Sequence, residues 1–216
     1  MTLPTLVQNS DGVESIVYYE ASWDFYEAML REYDEEPSRM SFDDGTLEIL
    51  MTISMEHEGF KQFIGAIICQ IAQSQRIPMA RRGSATLKSL PKRKGLEADQ
   101  CYWIANEQAI RGVKRLDLNV HPPPDLVVEI DITHSVVDRE AIYAAIGVPE
   151  MWHYADATKL TAWALINGAW ERIDTSRSFP MIRMVDLNPF IERFAAGDEE
   201  TAILVDFRRS LEQQHG

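Results

Sequence analysis

The sequence predicts an α/β (α+β) chain in which a central mixed β-sheet is flanked by helices. The expected order is α-β-β-β-α-β, with an N-terminal hairpin and a C-terminal hairpin plus helices. Three observations carry this. In Phe60, Phe63, Ile64, Ile67, Ile68 and Ile71 the apolar residues recur at i, i+3, i+4, i+7, i+8 and i+11, which is one face of a helix. The run DLVVEIDI, then SVVDREAIYAAIG, then PEMWHYAD reads strand, helix, strand, a unit that is nearly always parallel with a right-handed crossover. Two dipeptides, Asp44-Gly45 and Asn167-Gly168, stand between alternating apolar runs and mark tight hairpins.

The elements follow in order. SWDFYEAMLREY opens on Ser22, a good N-cap, and has a helical apolar pattern. RMSFDDGTLEILM is the first hairpin, and Ser54 is placed to cap the long helix after it. MARRGSATLKSL and KGLEADQCYWI predict two strands joined through Pro91 to Gly95, and ANEQAIRG a short helix. The prolines of HPPP cannot lie within a central strand, so they mark the start of the next one. Asp125 to Ile132 and Glu150 to Ala155 are then parallel neighbours, with Gly147 closing the helix between them. KLTAWALINGAWERI adds an antiparallel hairpin, and LNPFIERF and ETAILVDFRRSLEQQ two closing helices. No internal repeat or low-complexity segment interrupts this, and 216 residues suit a single domain over 1–216.

Composition narrows the class. With 45% apolar and 25% charged residues the chain is an ordinary globular one. Its longest apolar run, FIGAII, is far short of the roughly 20 residues of a membrane helix, and Met1 to Ser10 lacks a basic start followed by an apolar stretch. A cytoplasmic location away from membranes is expected. Cys69 and Cys101 form neither a disulfide framework nor a zinc spacing and read as core thiols. The net charge of −13 argues against broad, nonspecific binding of polyanions. Yet Arg81 to Lys94, RRGSATLKSLPKRK, holds six cations and no anion. That segment is either a contact for a phosphate backbone or a solvated turn, and the sequence leaves both open.

The stretch PPPDLVVEIDITHS puts three carboxylates into a β-rich run. Alternation places Asp125, Glu129 and Asp131 on one face and Val128 and Ile130 on the other. On the preceding strand, EADQCYW places Glu97 and Asp99 on a shared face. If the strands are neighbours, Asp99 and Glu129 approach within one divalent ion's coordination sphere. Carboxylates so close raise each other's pKa unless a cation or proton lies between them. Hard oxygen ligands suit Mg²⁺ or Mn²⁺. The plainer alternative is a solvated strand face with no ion.

LEADQCYWI, PPPDLVVEIDITHS and DREAIYAAIGVPEMWHY, preceded by the helix EHEGFKQFIGAIICQI, resemble the Uma-two family of endonucleases, within the PD-(D/E)XK restriction-endonuclease-like superfamily. The resemblance runs from the hairpin at Arg39 to Asp156. It implies a restriction-endonuclease-like core and DNA hydrolysis dependent on Mg²⁺ or Mn²⁺. By position it makes Asp99 the Asp of the PD element, with Ala98 in the proline's place, and Glu129 the Glu of ExK. The metal ligands implied are Asp99, Glu129 and the Ile130 carbonyl. Asp131 stands where the superfamily usually has Lys, and the residue matching a Lys displaced to the next helix is Arg139. Arginine can bind phosphate bidentately, but its pKa is too high for it to give up a proton. The other reading of Arg139 is a salt bridge with Asp138 or Asp131. Glu56 is the choice for an extra catalytic acid, since with His57 it falls on the side of Phe60, Ile64 and Ile67; the helix dipole alone also favours an acid there. His57 is read as a satisfied, partly buried histidine, His134 as a loop residue near the site, and Trp152 and Tyr154 as packing.

Three function classes follow: a metal-dependent DNA endonuclease, a catalytically lapsed nucleic-acid or protein binding module on the same fold, and a hydrolase of a small phosphorylated substrate. The first is favoured because both key acids are retained. Superfamily relatives that cut both strands commonly act as dimers, and the elements after Lys159, with Trp163 and Trp170, offer apolar surface, so a symmetric homodimer is expected.

Overall fold

A computed structural model describes residues 4–8, 14–34, 38–51, 54–131, 135–155 and 159–213. In chain order the elements are β1 (Thr5–Gln8), β2 (Glu14–Tyr18), α1 (Trp23–Glu32), β3 (Arg39–Asp43), β4 (Thr46–Leu50), α2 (Met55–Ser74), β5 (Ala80–Arg82) and β6 (Thr86–Ser89). A 3₁₀ turn (Leu90–Lys92) leads to β7 (Lys94–Glu97), β8 (Gln100–Trp103), α3 (Glu107–Ile110), β9 (Leu126–Asp131), α4 (Arg139–Ile146) and β10 (Glu150–Ala155). The chain closes with β11 (Lys159–Ile166), β12 (Ala169–Ile173), α5 (Met184–Ala195) and α6 (Glu200–Gln213).

Local chemistry sets these boundaries. The Ser22 hydroxyl accepts from the Phe25 amide and that of Ser54 from the His57 amide, at 3.1 and 3.0 Å, so each serine satisfies an amide that the helix start leaves without a partner. Gly147, at φ 92°, ends α4 in the left-handed region that favours glycine. Asp44-Gly45 and Asn167-Gly168 all have positive φ, the requirement of a two-residue hairpin turn matched to strand twist.

The strands form two six-stranded sheets, β1-β2-β4-β3-β7-β6 and β12-β11-β10-β9-β8-β5. Within the second, β9 and β10 pair in parallel, as the strand-helix-strand unit requires. The central mixed sheet expected from the sequence is this one. MARRGSATLKSL and KGLEADQCYWI, however, are four strands rather than two. β6 and β7 pair in the first sheet, while β5 and β8 pair with the second, so the chain crosses twice between the sheets. The breaks fall at Gly83 to Ala85 and at Ala98-Asp99, where the Ala98 amide donates to the Ala85 carbonyl at 3.2 Å.

Helix α2 buries Phe63, Ile64, Ile67, Ile68 and Ile71 against Leu126, Val128 and Ile130 of β9, together with α5 and α6. Each such side chain contributes about 1.5–3 kcal/mol. Val127 turns to the opposite face, where α4 covers it with Ile142, Tyr143 and Ile146. β9 is therefore buried on both sides, as parallel strands are, and the face that carries Glu129 is not a continuous acidic one. Helix α1 covers the first sheet, its Tyr26 ring stacked on Phe42 at 5.0 Å. Gly95 makes that possible, since a Cβ there would lie 2.6 Å from Tyr26 Oη and 2.8 Å from its Cε1. Cys101 is buried and Cys69 half-buried, both free thiols. Among the described residues no helix is long and apolar enough to cross a membrane.

Candidate active site at the seam between the sheets

The break between β7 and β8 delivers Asp99 to β9. β8 and β9 run antiparallel with Gln100 opposite Val128, so Asp99, one residue earlier, comes level with Glu129. The two acids are tied reciprocally: the Ile130 amide donates to Asp99 Oδ2 at 2.9 Å, and the Asp99 amide to Glu129 Oε1 at 3.4 Å. Asp99 is fully buried and the Glu129 side chain 9% exposed. Two carboxylates held like this require compensating positive charge.

Two arginines supply it. Arg39, from β3 of the first sheet, reaches Asp99 Oδ1 with Nη1 at 2.8 Å and Glu129 Oε2 with Nη2 at 3.2 Å. Arg139, the first residue of α4, donates from Nε to Glu129 Oε2 and from Nη2 to Glu129 Oε1, both at 3.0 Å. Its remaining donors go to Ser41 Oγ at 2.6 Å and the Glu97 carbonyl at 2.8 Å. One turn along α4 the Tyr143 hydroxyl also donates to Glu129. His57 Nε2 lies 3.2 Å from Asp99 Oδ1 and 3.0 Å from Arg39 Nη1.

These contacts set the protonation states. Burial opposes charge on Asp99, but Arg39, then His57 and Arg139, outweigh it and hold the carboxyl well below its usual range. Burial also opposes the charge on Arg139, and Glu129, Tyr143 and Asp99 more than offset it. Burial first and Glu129 second push the Tyr143 phenol far up, so it keeps its proton and donates it. Glu97 is raised by burial despite the Met40 amide and the two arginines.

Asp99, Glu129 and Arg139 thus meet as the sequence expected. Arg139 pairs with Glu129 rather than with Asp138, whose carboxylate instead caps α4 by accepting from the Ala141 amide at 2.9 Å. Ile130 gives Asp99 its amide. Glu56 is exposed and apart from the acids; burial and then its charge push the Tyr154 phenol up to about 12. His57, taken for a satisfied histidine, is the residue α2 turns onto Asp99. Asp125 lies before the strand, its carboxylate accepting from the Ile104 and Asn106 amides at 2.6 and 3.0 Å, which anchors a loop. The Asp131 side chain and His134 lie outside the described residues. Trp152 and Tyr154 are packing residues, as read from the sequence.

Sequence reasoning missed Arg39, Ser41 and Tyr143. Tyr143 carried a signal, its i+4 spacing from Arg139. Arg39 carried only an unusual placement, a cation in a strand whose neighbours are buried. The six cations of the basic segment are used within the chain: Arg81 on Cys69, Arg82 on the carbonyls of Ile110 and Val113, Lys88 on Glu27, Lys92 on the Ala145 carbonyl, Arg93 on Asp44 and Lys94 on Asp43. Trp163 and Trp170, expected to offer surface to a second copy, pack against the core beside α4, Trp170 donating to the Glu140 carbonyl at 3.0 Å.

A cavity of about 240 Å³ adjoins Glu129, bordered also by Arg39, Arg139, Glu48, Met151 and His153. Its Glu48 carboxylate accepts from the Val136 amide at 3.1 Å and from the Ser135 hydroxyl, fixing the approach to α4. The donor chemistry suits a hard divalent cation, since two carboxylates lie side by side. The position between them is taken by Arg39, and among the described residues no group of three or more His, Cys, Asp or Glu side chains is arranged to hold an ion.

The family model Uma2, described as "Putative restriction endonuclease", matches residues 23–194. A crystal structure described as that of a putative nuclease belonging to DUF820, from Anabaena variabilis, is similar with a TM-score of 0.52 and 16% identity, covering 75% of this chain and 98% of that one. At that identity the likeness speaks to the fold, which is restriction-endonuclease-like. No curated protein matches the chain.

Proposed function

The chain belongs to the Uma2 family, and from that premise we propose that it is a nuclease hydrolysing DNA phosphodiester bonds, with Mg²⁺ or Mn²⁺ held by Asp99, Glu129 and the Ile130 carbonyl. The observation that carries this is the meeting of two buried acids, Asp99 at the β7–β8 break and Glu129 on β9, with a cavity bordered by Glu129 beside them. When bound, the divalent ion would supply Lewis acidity toward a phosphoryl oxygen. Asp99 is ionised, and the amide of Ile130 orients it. Arg139 keeps its proton, so its role is to stabilise charge on the attacked phosphate and not to transfer a proton. Tyr143 fixes the orientation of Glu129. Glu56, exposed on the first turn of α2, is left out of this centre, and His57 stands beside Asp99 in its stead.

The test is cleavage of plasmid and single-stranded DNA with Mg²⁺ or Mn²⁺. Arg139→Ala should lower the rate by the roughly 2–4 kcal/mol typical of losing one preorganised donor, Arg139→Lys should keep most of it, and Glu129→Ala should abolish it. Equal activity in the unsubstituted chain and in Glu129→Ala would sink this reading. A second reading, a lapsed binding module, draws support from one fact: three of the four oxygens of the acid pair accept hydrogen bonds from the protein, and the fourth, Asp99 Oδ1, is ion-paired with Arg39. Relatives that cut both strands commonly act as dimers, so the nuclease reading includes a symmetric homodimer, which light scattering across concentrations reads directly.

A further inference from the structure

We propose that Arg39 is a built-in cation that competes with divalent metal for the Asp99–Glu129 pair, so that an ion enters only as the Arg39 side chain leaves. The inference rests on the nuclease reading of the same pair. Its geometric basis is that one guanidinium bridges both acids, Nη1 to Asp99 at 2.8 Å and Nη2 to Glu129 at 3.2 Å. That is the place and the job of a bridging ion, performed with a single charge.

The two arginines are not held alike. Arg139 bonds through Nε, Nη1 and Nη2, to Glu129, to Ser41 and to the Glu97 carbonyl, and so is fixed from three directions. It also touches only one of the two acids. Arg39, though 9% exposed, leaves its Nε without a partner, and Asp99 Oδ1, which it contacts, has no well-aligned hydrogen bond. Arg39 still donates from Nη2 to Glu129 and lies with Nη1 against His57, but its buried Nε and the Asp99 Oδ1 it pairs with are both short of a hydrogen bond, which lowers the cost of its leaving. Arg39 is therefore the exchangeable cation and Arg139 the resident one. A route exists as well, because Arg39 and Glu129 both border the 240 Å³ cavity, into which the guanidinium can turn by side-chain rotation. There its planar fork matches the geometry of a phosphate.

The consequence is a penalty on metal affinity set by how rarely Arg39 vacates the pair. Mn²⁺ is titrated into the full chain by isothermal calorimetry. Arg39→Met should bind one ion about tenfold tighter than the unsubstituted chain, the gain expected if the pair is open in about a tenth of molecules, and Arg39→Met with Glu129→Ala should lose that site. No tightening, or tightening that survives Glu129→Ala, overturns the proposal. If Arg39→Met does not fold by circular dichroism, Arg39→Gln carries the test: a neutral amide keeps a polar donor beside the acids but removes the competing charge, so tightening is still expected, and its absence overturns the proposal equally. Cleavage is read separately. Tightening without cleavage in any variant keeps the competition and removes the nuclease reading; Glu129-dependent cleavage without tightening does the reverse.

Discussion

Glu129 accepts from Arg139, Tyr143 and the Asp99 amide and meets Arg39, so one carboxylate answers two buried guanidinium groups. Glu129→Gln keeps the shape and removes the charge, leaving both arginines undercompensated. Breaking a buried pair from one side costs about 3–5 kcal/mol, and urea unfolding should read a loss in that range. Asp99 gives a pH signature. Its folded pKa is depressed by Arg39, His57 and Arg139 against the opposing effect of burial, so its contribution is present above the unfolded value near pH ~4 and is lost as pH falls through the folded value. Glu97, raised by burial, has the opposite sign: its contribution is present below about pH 4 and is lost as pH rises through its folded value. Urea midpoints should therefore fall on acidification below about pH 4 in the unsubstituted chain and change less in Asp99→Asn. Equal slopes in the two proteins would assign the acid sensitivity elsewhere.

At the scale of elements, the site depends on how closely α1 and β7 approach. Gly95→Ala would drive a methyl into the Tyr26 ring, which is itself stacked on Phe42 and cannot yield, so a loss of about 1–3 kcal/mol is expected by urea unfolding. A neutral result would mean that α1 rides up without harm. Elements whose signals are local were legible in the sequence: the Ser54-capped α2, the hairpins at Asp44-Gly45 and Asn167-Gly168, and the β9-α4-β10 unit. The crossings at Gly83 to Ala85 and Ala98-Asp99 were not, because a strand that changes sheets keeps its apolar character and only its pairing partner changes. Asp99, Glu129 and Arg139 were legible through their positions in motifs. Arg39 was not, since its partner Glu129 is 90 residues away and no periodicity links them. His57 was legible as a buried histidine, while what it faces is decided by tertiary packing.

Across the whole molecule, three cations of the 81–94 segment, Lys88, Arg93 and Lys94, are paired with Glu27, Asp44 and Asp43, while Arg81, Arg82 and Lys92 bond neutral groups and keep their charge, a small offset to the net charge of −13. The kinetic consequence concerns the first encounter with a polyanion. For a protein that greets DNA with free lysines, added salt weakens binding steeply. Here the long-range force is repulsive, and its reach shrinks from about 30 Å at ~0.01 M salt to about 8 Å at ~0.15 M. Stopped-flow association with a DNA duplex should accordingly speed up over that range, whereas a steep slowing would mean that a local cationic surface, such as that of Arg81, Arg82 and Lys92, prevails over the net charge. On the nuclease reading, residence on DNA then depends on short-range contacts made after collision, so turnover should favour substrate that is tethered or already concentrated nearby over duplex captured from dilute solution.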